Sequence, residues 1–341
     1  MKTENKGISR LSSICMILIV MMHCVVGVSS ATNGMLIFNN FIFNTFTRVS
    51  VPVFFGISGY FLAKNYSYEL KLKSRVKTLL IPFILWSAIS VLIFVICPHI
   101  PFLSSFFNKI IPLNFSSLMN VSLIHPINGS LWFIRDLFIL VLLSPLYVAV
   151  IRTRYLKYLF LIIVATAWIF DGKYRFLLEP SLFFSIGIYL REYNKLQTKE
   201  LMSRGWWAML ILLYLAVCVI CSYYMFRDTT SGSSVALRKI CVIIGGVCAY
   251  ISIPMLDRIN KVGLLDEFKK YSFFVYASHL IFAQFIKKLF LIIHTPHSLL
   301  SLILTYAAVV VSTIFICCIL QRLLKMLCPS VLNYLTGGRF E

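Results

Sequence analysis

The sequence predicts an all-α, polytopic integral membrane protein with about ten transmembrane helices, forming a single domain over residues 1–341 with no appended soluble domain. Two features of the composition support this: 60% of the residues are hydrophobic, with a mean hydropathy of +0.88, and only 13% are charged. A soluble domain of this length cannot bury so much apolar surface in one core. The third feature is the grouping of the apolar residues into long, separate runs.

Ten such runs follow one another along the chain. They cover about 13–32, 48–63, 79–97, 130–150, 157–170, 179–191, 206–226, 236–253, 272–293 and 298–321. Several are shorter than the roughly 20 residues that a full span requires, so tilted or broken helices are expected among them. The first run follows Lys2, Lys6 and Arg10, and its length favours a retained signal-anchor over a cleaved signal peptide.

Positive charge is distributed unevenly between the segments that connect the runs. With an even number of spans both termini lie on one side, and an N-in, C-in topology places 22 of the 32 Lys and Arg residues in the cytoplasm. The positive-inside rule therefore accounts for the net charge of +20. The lipid bilayer is the predicted partner, and nucleic acid is not.

The second run begins with a charge. Arg48 precedes Pro52, and the small pair Ser58–Gly59 lies near the other end. An arginine in hydrocarbon costs about 2.5–3.5 kcal/mol or more, so Arg48 is expected to face a protein interior or a polar cavity. Small residues allow neighbouring helices to approach closely. The run is therefore predicted to line a polar space inside the bilayer.

His23 lies near the middle of the first run. A lone membrane histidine can be a neutral packing residue with one hydrogen bond. It can also be a general base, because its unperturbed pKa is near neutrality and an apolar site favours the neutral form. The residue type alone leaves both interpretations open.

Two adjacent charges open the fourth run, in the stretch Gly129-Ser-Leu-Trp132-Phe-Ile-Arg135-Asp136. Consecutive helical side chains diverge by about 100°, so we expect separate partners for Arg135 and Asp136 on neighbouring helices, with Asp136 as a counter-ion for Arg48. One interpretation is an interhelical ion pair that fixes packing. The other, favoured by two arginines with one acid, is an anion or hydroxyl site with Arg48 and Arg135 as donors.

The ninth run carries polar residues at helical spacing. Ser272, Tyr276 and His279 are spaced i, i+4, i+7, so they form one stripe on a single helical face, which must point inward. The stripe is either part of a reactive site or a structural hydrogen-bond network.

A basic cluster of Lys71, Lys73, Arg75 and Lys77 precedes the third run on the predicted inner side. Orientation by positive charge is a sufficient explanation for it. The same cluster would also attract a phosphorylated donor such as coenzyme A.

Ten cysteines are present, and most lie within the apolar runs. Cys218-x-x-Cys221 has the spacing of a redox pair, but it lies in a run long enough to span lipid. Small apolar core residues are therefore the better interpretation. No His/Cys cluster indicates a metal site, and none is expected.

These stretches together resemble the membrane acyltransferase-3 family, which includes bacterial O-acetyltransferases of surface polysaccharides and fucose-4-O-acetylase-like proteins. The matching pieces are the motif within the first run that ends in His23, Arg48-x-x-x-Pro52-x-Phe-Phe-x-x-Ser58-Gly59-Tyr60, Arg75-Val-Lys-Thr-Leu-Leu-Ile-Pro82, Leu131-Trp-Phe-x-Arg135-Asp136-Leu, Ser272-Phe-Phe-Val-Tyr276-x-x-His279 and Leu335-Thr-Gly-Gly-Arg339. They extend over nearly the whole chain. Two positions depart from the family pattern. Ser12 stands eleven residues before His23, where the family has a basic residue, and Thr78 stands in place of the second of two paired arginines, of which Arg75 is the first.

The resemblance implies a membrane O-acyltransferase of the bacterial inner (plasma) membrane with no bound cofactor. Its co-substrate would be acetyl-coenzyme A or another acyl-coenzyme A from the cytoplasm. The acceptor would be a hydroxyl of a cell-surface polysaccharide or of its lipid-linked precursor.

The resemblance also implies roles for individual residues. His23 would be the base for the acceptor hydroxyl, and Arg135 or Arg48, with Asp136 beside them, would stabilise the oxyanion. The implied substrate- and donor-binding residues are Arg75, Lys73, Lys77, Ser58, Trp132, Tyr276 and His279, of which the last two would position the thioester or relay a proton.

A polytopic transporter or flippase of a lipid-linked sugar or a small anion is the alternative, since intramembrane Arg and His suit it equally well. The internal repeats and broken midplane helices common in transporters are not found in the sequence.

Overall fold

The computed structural model describes residues 6–100, 116, 119–171, 177–193, 203–259 and 263–340, and the regular structure within these ranges is helical throughout. The α-helices are α1 (Lys6–His23), α2 (Asn33–Asn40), α3 (Ser50–Ala63), α4 (Tyr68–Arg75), α5 (Ile81–Ile96), α6 (Trp132–Leu142), α7 (Ser144–Arg152), α8 (Leu156–Phe170), α9 (Leu178–Glu192), α10 (Arg204–Met225), α11 (Gly232–Ile259), α12 (Leu264–Phe268), α13 (Ser272–Ile293), α14 (Leu299–Leu327) and α15 (Pro329–Thr336). Two π-helical turns, Phe41–Phe46 and Val76–Leu80, continue α2 towards α3 and α4 into α5.

Seven helical stretches of the described chain are long and apolar enough to cross a membrane. They are Lys6–His23, Asn33–Ala63, Tyr68–Phe94, Arg204–Met225, Gly232–Leu256, Ser272–Ile293 and Leu299–Leu327. The region of α6 and α7 provides an eighth if this pair, bent by 60° next to Pro145, forms one span. The all-α, polytopic membrane class is thereby confirmed. The 15-residue helices α8 and α9 cover the fifth and sixth predicted runs, and the total of ten spans and the N-in, C-in orientation stay predictions.

Three of the boundaries predicted from hydropathy are wrong. The second helical span begins at Asn33 and the third at Tyr68, in each case more than ten residues early, and the first helix ends at His23. The second span was missed in part because its first half contains amides. Asn40, for example, is buried and donates to the carbonyl oxygen of Ser222 at 3.2 Å. A hydropathy average cannot register that such a group is satisfied inside the protein.

The chain divides into two compact units, each built from two separate stretches. Unit 1 comprises Met1–Lys71 and Ile139–Lys269, and unit 2 comprises Leu72–Phe138 and Lys270–Glu341. In unit 1, α3 packs most extensively on α9, while α10 packs on α11 and α1 packs on α3 and α11. In unit 2, α13 packs along α14, and α15 packs against α5.

The crossing of α3 and α9 is a contact between backbones. A methyl group at Gly59 would overlap the carbonyl oxygen of Phe184, and one at Gly187 would overlap the carbonyl oxygen of Gly56. No side chain fits between the two helices at these points. The prediction that small residues of the second run permit close approach is confirmed at Gly59.

Arg10 has a structural partner in unit 1. Its Nη2 lies 2.8 Å from Asp266 Oδ2, and its Nε donates to Asp266 Oδ1 at 3.0 Å. Ser13 Oγ, one turn along α1, donates to the carbonyl oxygen of Leu265 at 2.9 Å. These bonds attach α1 to α12, and they hold the pKa of Asp266 below its usual range, chiefly through the hydrogen bond from Arg10.

The structure confirms that the cysteines are core residues. All ten are free thiols, and seven of them are buried: Cys15, Cys24, Cys218, Cys221, Cys241, Cys248 and Cys317. Four of the seven, on α10 and α11, pack in one hydrophobic cluster with Tyr214 and Val49.

We expect Gly59→Ala to lower the free energy of unfolding by about 1–3 kcal/mol or more, because the added methyl group forces the backbones of α3 and α9 apart. The melting temperature of the purified chain in detergent measures this. Gly246→Ala is the matched control, because a methyl group there meets nothing within 4 Å. The higher helix propensity of alanine should raise the free energy of unfolding of this variant by up to about 1 kcal/mol. Equal melting temperatures for wild type and Gly59→Ala would contradict the close crossing.

The Arg10–Asp266 pair predicts a dependence of stability on pH. A carboxyl whose pKa is lowered on folding stabilises the protein above the ordinary Asp pKa of about 3.9, and this contribution is lost as the pH falls through the lower pKa of the folded state. Because the Asp266 side chain is 43% exposed, we expect at most about 1 kcal/mol. Melting curves of wild type and Asp266→Asn should differ at pH 6 and converge below about pH 4; a constant difference would contradict the assignment.

Candidate active site

In unit 2, Asp136 is fully buried on α6 and its counter-ion is the adjacent Arg135. Arg135 Nη2 lies 2.7 Å from Asp136 Oδ1, and Nε donates to the same oxygen at 2.8 Å. Arg135 Nη1 donates to the carbonyl oxygen of Ile124. The expectation of separate partners on neighbouring helices is therefore wrong. The long arginine side chain folds back along its helix, because a carboxylate without water needs a charge beside it.

Tyr276 and His279 are buried on α13, which confirms the inward-facing stripe for these two residues. Tyr276 Oη donates to the carbonyl oxygen of Ser130. His279 Nδ1 lies 2.7 Å from the carbonyl oxygen of Tyr276 and 3.0 Å from that of Val275. Since carbonyl groups only accept, Nδ1 carries the proton of a neutral ring, and Nε2 is its basic nitrogen.

The turn Gly129–Leu131 before α6 fastens this helix to α13. Asn128 Nδ2 donates to the carbonyl oxygen of Ala277 at 2.8 Å, and Ser130 Oγ donates to Asn128 Oδ1 at 2.6 Å. Trp132, half-buried, is the first residue of α6 after this turn. The sequence interpretation overlooked Asn128 and Ser130, although two small polar residues directly before an apolar run were a visible signal.

His23 is the last residue of α1 and is half-buried. Its expected place near the middle of a span is wrong, because the helix stops there. The glycine and β-branched residues of 25–30 are poor helix formers. The next segment is held by Asn39, whose Nδ2 donates to the carbonyl oxygen of Val26 at 2.9 Å. His23 lies about 26 Å along the helix axis from Lys6.

Arg48 lies near the middle of the Asn33–Ala63 helical stretch, not at its end as expected. Because this helical stretch already begins at Asn33, Arg48 lies inside the stretch and not at its first turn. Within the described part of the chain, the half-buried Arg48 forms no ion pair. Ser58 is ten residues further along, about 15 Å on the helix axis, so the structure does not bring Ser58 and Arg48 together.

A network of polar side chains in unit 1 includes a second arginine. Arg238 on α11 is close enough to Arg48 for their charges to repel, and its Nη1 donates to Asn44 Oδ1 at 3.3 Å. Asn44 in turn donates to Asn40 Oδ1. The sequence interpretation missed this network, although Asn40 and Asn44, spaced i, i+4 in an apolar stretch, were the available signal.

The basic cluster before α5 does not converge on one point. Arg75 is half-buried, whereas Lys73 and Lys77 are exposed. Residues two apart on a helix lie on nearly opposite faces, and the two lysines, four apart, share one face. Donor binding by these residues stays a prediction, and the geometry favours Arg75 for it. Arg339 lies near Arg75 in unit 2. The guanidinium of Arg339 stacks on the ring of Phe273, 4.5 Å from the ring centroid.

Unit 1 also contains an apolar cavity of about 480 Å³ between α1, α3, α8, α9 and α11. None of the predicted site residues lines it. The described residues contain no group of three or more His, Cys, Asp or Glu side chains placed to hold a metal ion.

Within its described helices the chain buries one carboxylate and one histidine and half-buries several arginines, and ionisable groups at such places in a membrane protein are most often functional. A family model described as an acyltransferase domain, that of the acyltransferase-3 family, matches residues 6–322. The match covers nearly the whole chain, so the protein belongs to the acyltransferase-3 family.

The chain is also similar to the succinoglycan biosynthesis protein ExoH of Rhizobium meliloti (strain 1021). The two are 28% identical over 304 residues, which is 86% of this chain and 80% of that protein. No solved structure matches the chain.

Asp136→Asn is expected to lower the free energy of unfolding by about 3 kcal/mol, because it leaves the charge of Arg135 without compensation in a buried place. The double variant Arg135→Gln/Asp136→Asn should lose less than the two single variants added together. Denaturation of the purified chain measures all three.

The exposed pair Arg152–Glu192 in unit 1 supplies the control. Arg152 Nη2 lies 2.8 Å from Glu192 Oε1, but the Arg152 side chain is 51% exposed. Arg152→Gln should therefore lower the free energy of unfolding by less than about 1 kcal/mol. If the losses of unfolding free energy in Arg135→Gln and Asp136→Asn simply add in the double variant, the two side chains do not interact.

Proposed function

We propose that the protein is an O-acyltransferase of the bacterial plasma membrane. It moves an acetyl or other short acyl group from cytoplasmic acyl-coenzyme A to a hydroxyl of a cell-surface polysaccharide or of its lipid-linked precursor. Membership of the acyltransferase-3 family carries this proposal. The name of the similar ExoH protein, which places that protein in succinoglycan biosynthesis, supports a polysaccharide as the acceptor.

His23 is the proposed general base. It takes the proton of the acceptor hydroxyl while the hydroxyl oxygen attacks the thioester carbonyl carbon. The new C–O bond forms, the tetrahedral oxyanion collapses, and the C–S bond breaks. The coenzyme A thiolate then leaves with the proton that His23 returns, so that one acyl group and one proton exchange places. Attack by His23 itself, through an acyl-histidine, gives the same balance in two steps.

Arg48 is the better of the two proposed oxyanion donors. The guanidinium of Arg135 already donates to Asp136 and to the carbonyl oxygen of Ile124. Arg48 forms no ion pair within the described residues and lies near a second positive charge, Arg238. The charge of Glu179 also acts on Arg238, but neither arginine forms an ion pair within the described residues. Two neighbouring arginines without an ion-paired acid favour an anion between them, and the developing oxyanion is such a group. In this scheme Arg135, Asp136 and Tyr276 hold α6 and α13 in position.

The donor is proposed to bind in unit 2, where Arg75 is available for its phosphates and Lys73 and Lys77 add long-range attraction from the helix surface. His279, in the same unit, would then position the thioester, while His23 returns the proton to the leaving thiolate. Trp132, at the start of α6 in unit 2, and Ser58, on α3 in unit 1, are each proposed to contact a substrate.

His23→Ala is expected to lower acyl transfer by a factor of about 10² to 10⁴, since general-base catalysis contributes on that scale. The measurement is transfer of label from acetyl-labelled coenzyme A to glycan in membranes that contain the native acceptor, at matched expression. Arg48→Gln should lower the rate by about 10²- to 10³-fold, as for loss of one oxyanion donor.

His297→Ala, an exposed residue before α14, is the matched control and should retain the wild-type rate. Full activity in His23→Ala would remove the base assignment. No transfer by the wild-type chain from any short acyl-coenzyme A, with folded protein and acceptor present, would contradict the proposed function and favour a transporter.

A further inference from the structure

The C-terminal tail of unit 2 reaches the basic turn before α5. After α15, Gly337 and Gly338 have φ angles of +61° and +79°, a conformation that residues with side chains rarely adopt. A methyl group on Gly337 would lie 2.7 Å from Cα of Thr78 and 3.1 Å from the carbonyl oxygen of Lys77. The tail is therefore pressed against the π-helical turn Val76–Leu80, and only glycine fits at the contact.

Two further contacts fix the position of this tail. Trp86 Nε1 on α5 donates to the carbonyl oxygen of Leu335 at 3.0 Å. Two residues after Gly337, the guanidinium of Arg339 stacks on the ring of Phe273 at 4.5 Å. Arg339 is therefore held beside the turn Val76–Leu80, which directly follows Arg75, in a defined orientation that a flexible tail would not give.

The charges around this turn are not balanced. Unit 2 contains eleven Lys and Arg residues but two acids, Asp136 and Glu341. Asp136 is paired with Arg135, and Glu341 lies outside the described residues. Within the described part of the chain neither Arg75 nor Arg339 forms an ion pair. Burial, and next the charge of Arg75, lower the pKa of Arg339 to about 10, so both arginines are charged at neutral pH and repel each other.

A polar group next to the two arginines also lacks a partner. Thr78 Oγ1 is buried and makes no hydrogen bond within the described residues. A hydroxyl left unsatisfied in the interior costs about 1–3 kcal/mol, and a ligand oxygen would remove this cost. Two guanidinium groups and a hydroxyl close to one turn match the donors that phosphate groups select.

We propose that Arg339 and Arg75 together form a pocket for a diphosphate group, with Arg339 supplying the second guanidinium where Thr78 stands at the family's second arginine position. The identity of the ligand as the diphosphate of acyl-coenzyme A rests on the proposed function. Arg339 ends the tail Leu335–Arg339 that resembles the family pattern, and it lies seventeen residues beyond the end of the family match at 322. The Gly337–Gly338 turn positions Arg339.

Pyrophosphate is the first probe, because it tests the pocket without assuming an acyl donor. We expect it to raise the melting temperature of the purified full chain, and Arg339→Gln and Arg75→Gln to weaken its apparent affinity about 10- to 100-fold, as expected for a charge-assisted hydrogen bond. Arg339→Lys, which keeps the charge, should restore part of the affinity. Lys287→Gln removes one charge from the same unit, fourteen residues along α13 from Phe273, and should bind as wild type.

The melting temperatures without ligand separate loss of binding from loss of folding, and Arg339→Lys remains informative if Arg339→Gln unfolds. Pyrophosphate binding to Arg339→Gln with wild-type affinity, or no stabilisation of the wild type by pyrophosphate, would overturn the pocket. Binding of coenzyme A is measured separately. If the wild-type chain binds pyrophosphate through Arg339 but does not bind coenzyme A, the pocket is confirmed and coenzyme A is excluded as the proposed donor.

Discussion

The hydrocarbon of a bilayer offers no hydrogen bonds, so each polar group in a membrane span must find its partner within the protein. This constraint accounts for most of the specific contacts in both units. In unit 1 it joins Asn40, Asn44 and Arg238 into a network, and in unit 2 it folds Arg135 back onto Asp136. The bonds from Asn40 to Ser222 and from Arg238 to Asn44 also fix one helix against another. The polar residues therefore specify how the helices pack, a role that apolar surface alone does not fill in lipid.

Close packing of backbones complements the polar contacts. Where Gly59 meets α9 and Gly187 meets α3, the absence of side chains lets the two helices touch, and dispersion forces then act over the whole crossing. The same device recurs in unit 2, where Gly337 lets the tail reach the turn at Thr78. At the second place the contact also brings Arg339 near Arg75.

The structure separates charges that hold the fold from charges that are available for chemistry. Arg10 and Arg135 each have an acid within hydrogen-bond distance, Asp266 and Asp136 respectively. Arg48 and Arg75 form no ion pair in the described residues, and each lies near another arginine, Arg238 for the first and Arg339 for the second. Membership of the acyltransferase-3 family gives such arginines a context, because acyl transfer develops negative charge on an oxyanion that a guanidinium group can stabilise.

The membrane class and the approximate positions of the spans could be predicted from the sequence, because local composition and spacing record a run of apolar residues or an i, i+4, i+7 stripe directly. The family followed from the resemblance of its motifs. Only the tertiary structure decided which charges pair. The sequence interpretation separated Arg135 from Asp136 because it considered helical phase and not the reach of a long side chain. It placed Arg48 at a helix end because internally satisfied amides at Asn40 and Asn44 conceal a helix from hydropathy. The proximity of Arg339 to Arg75 could not be predicted, since it joins residues 264 positions apart through a contact that glycine permits.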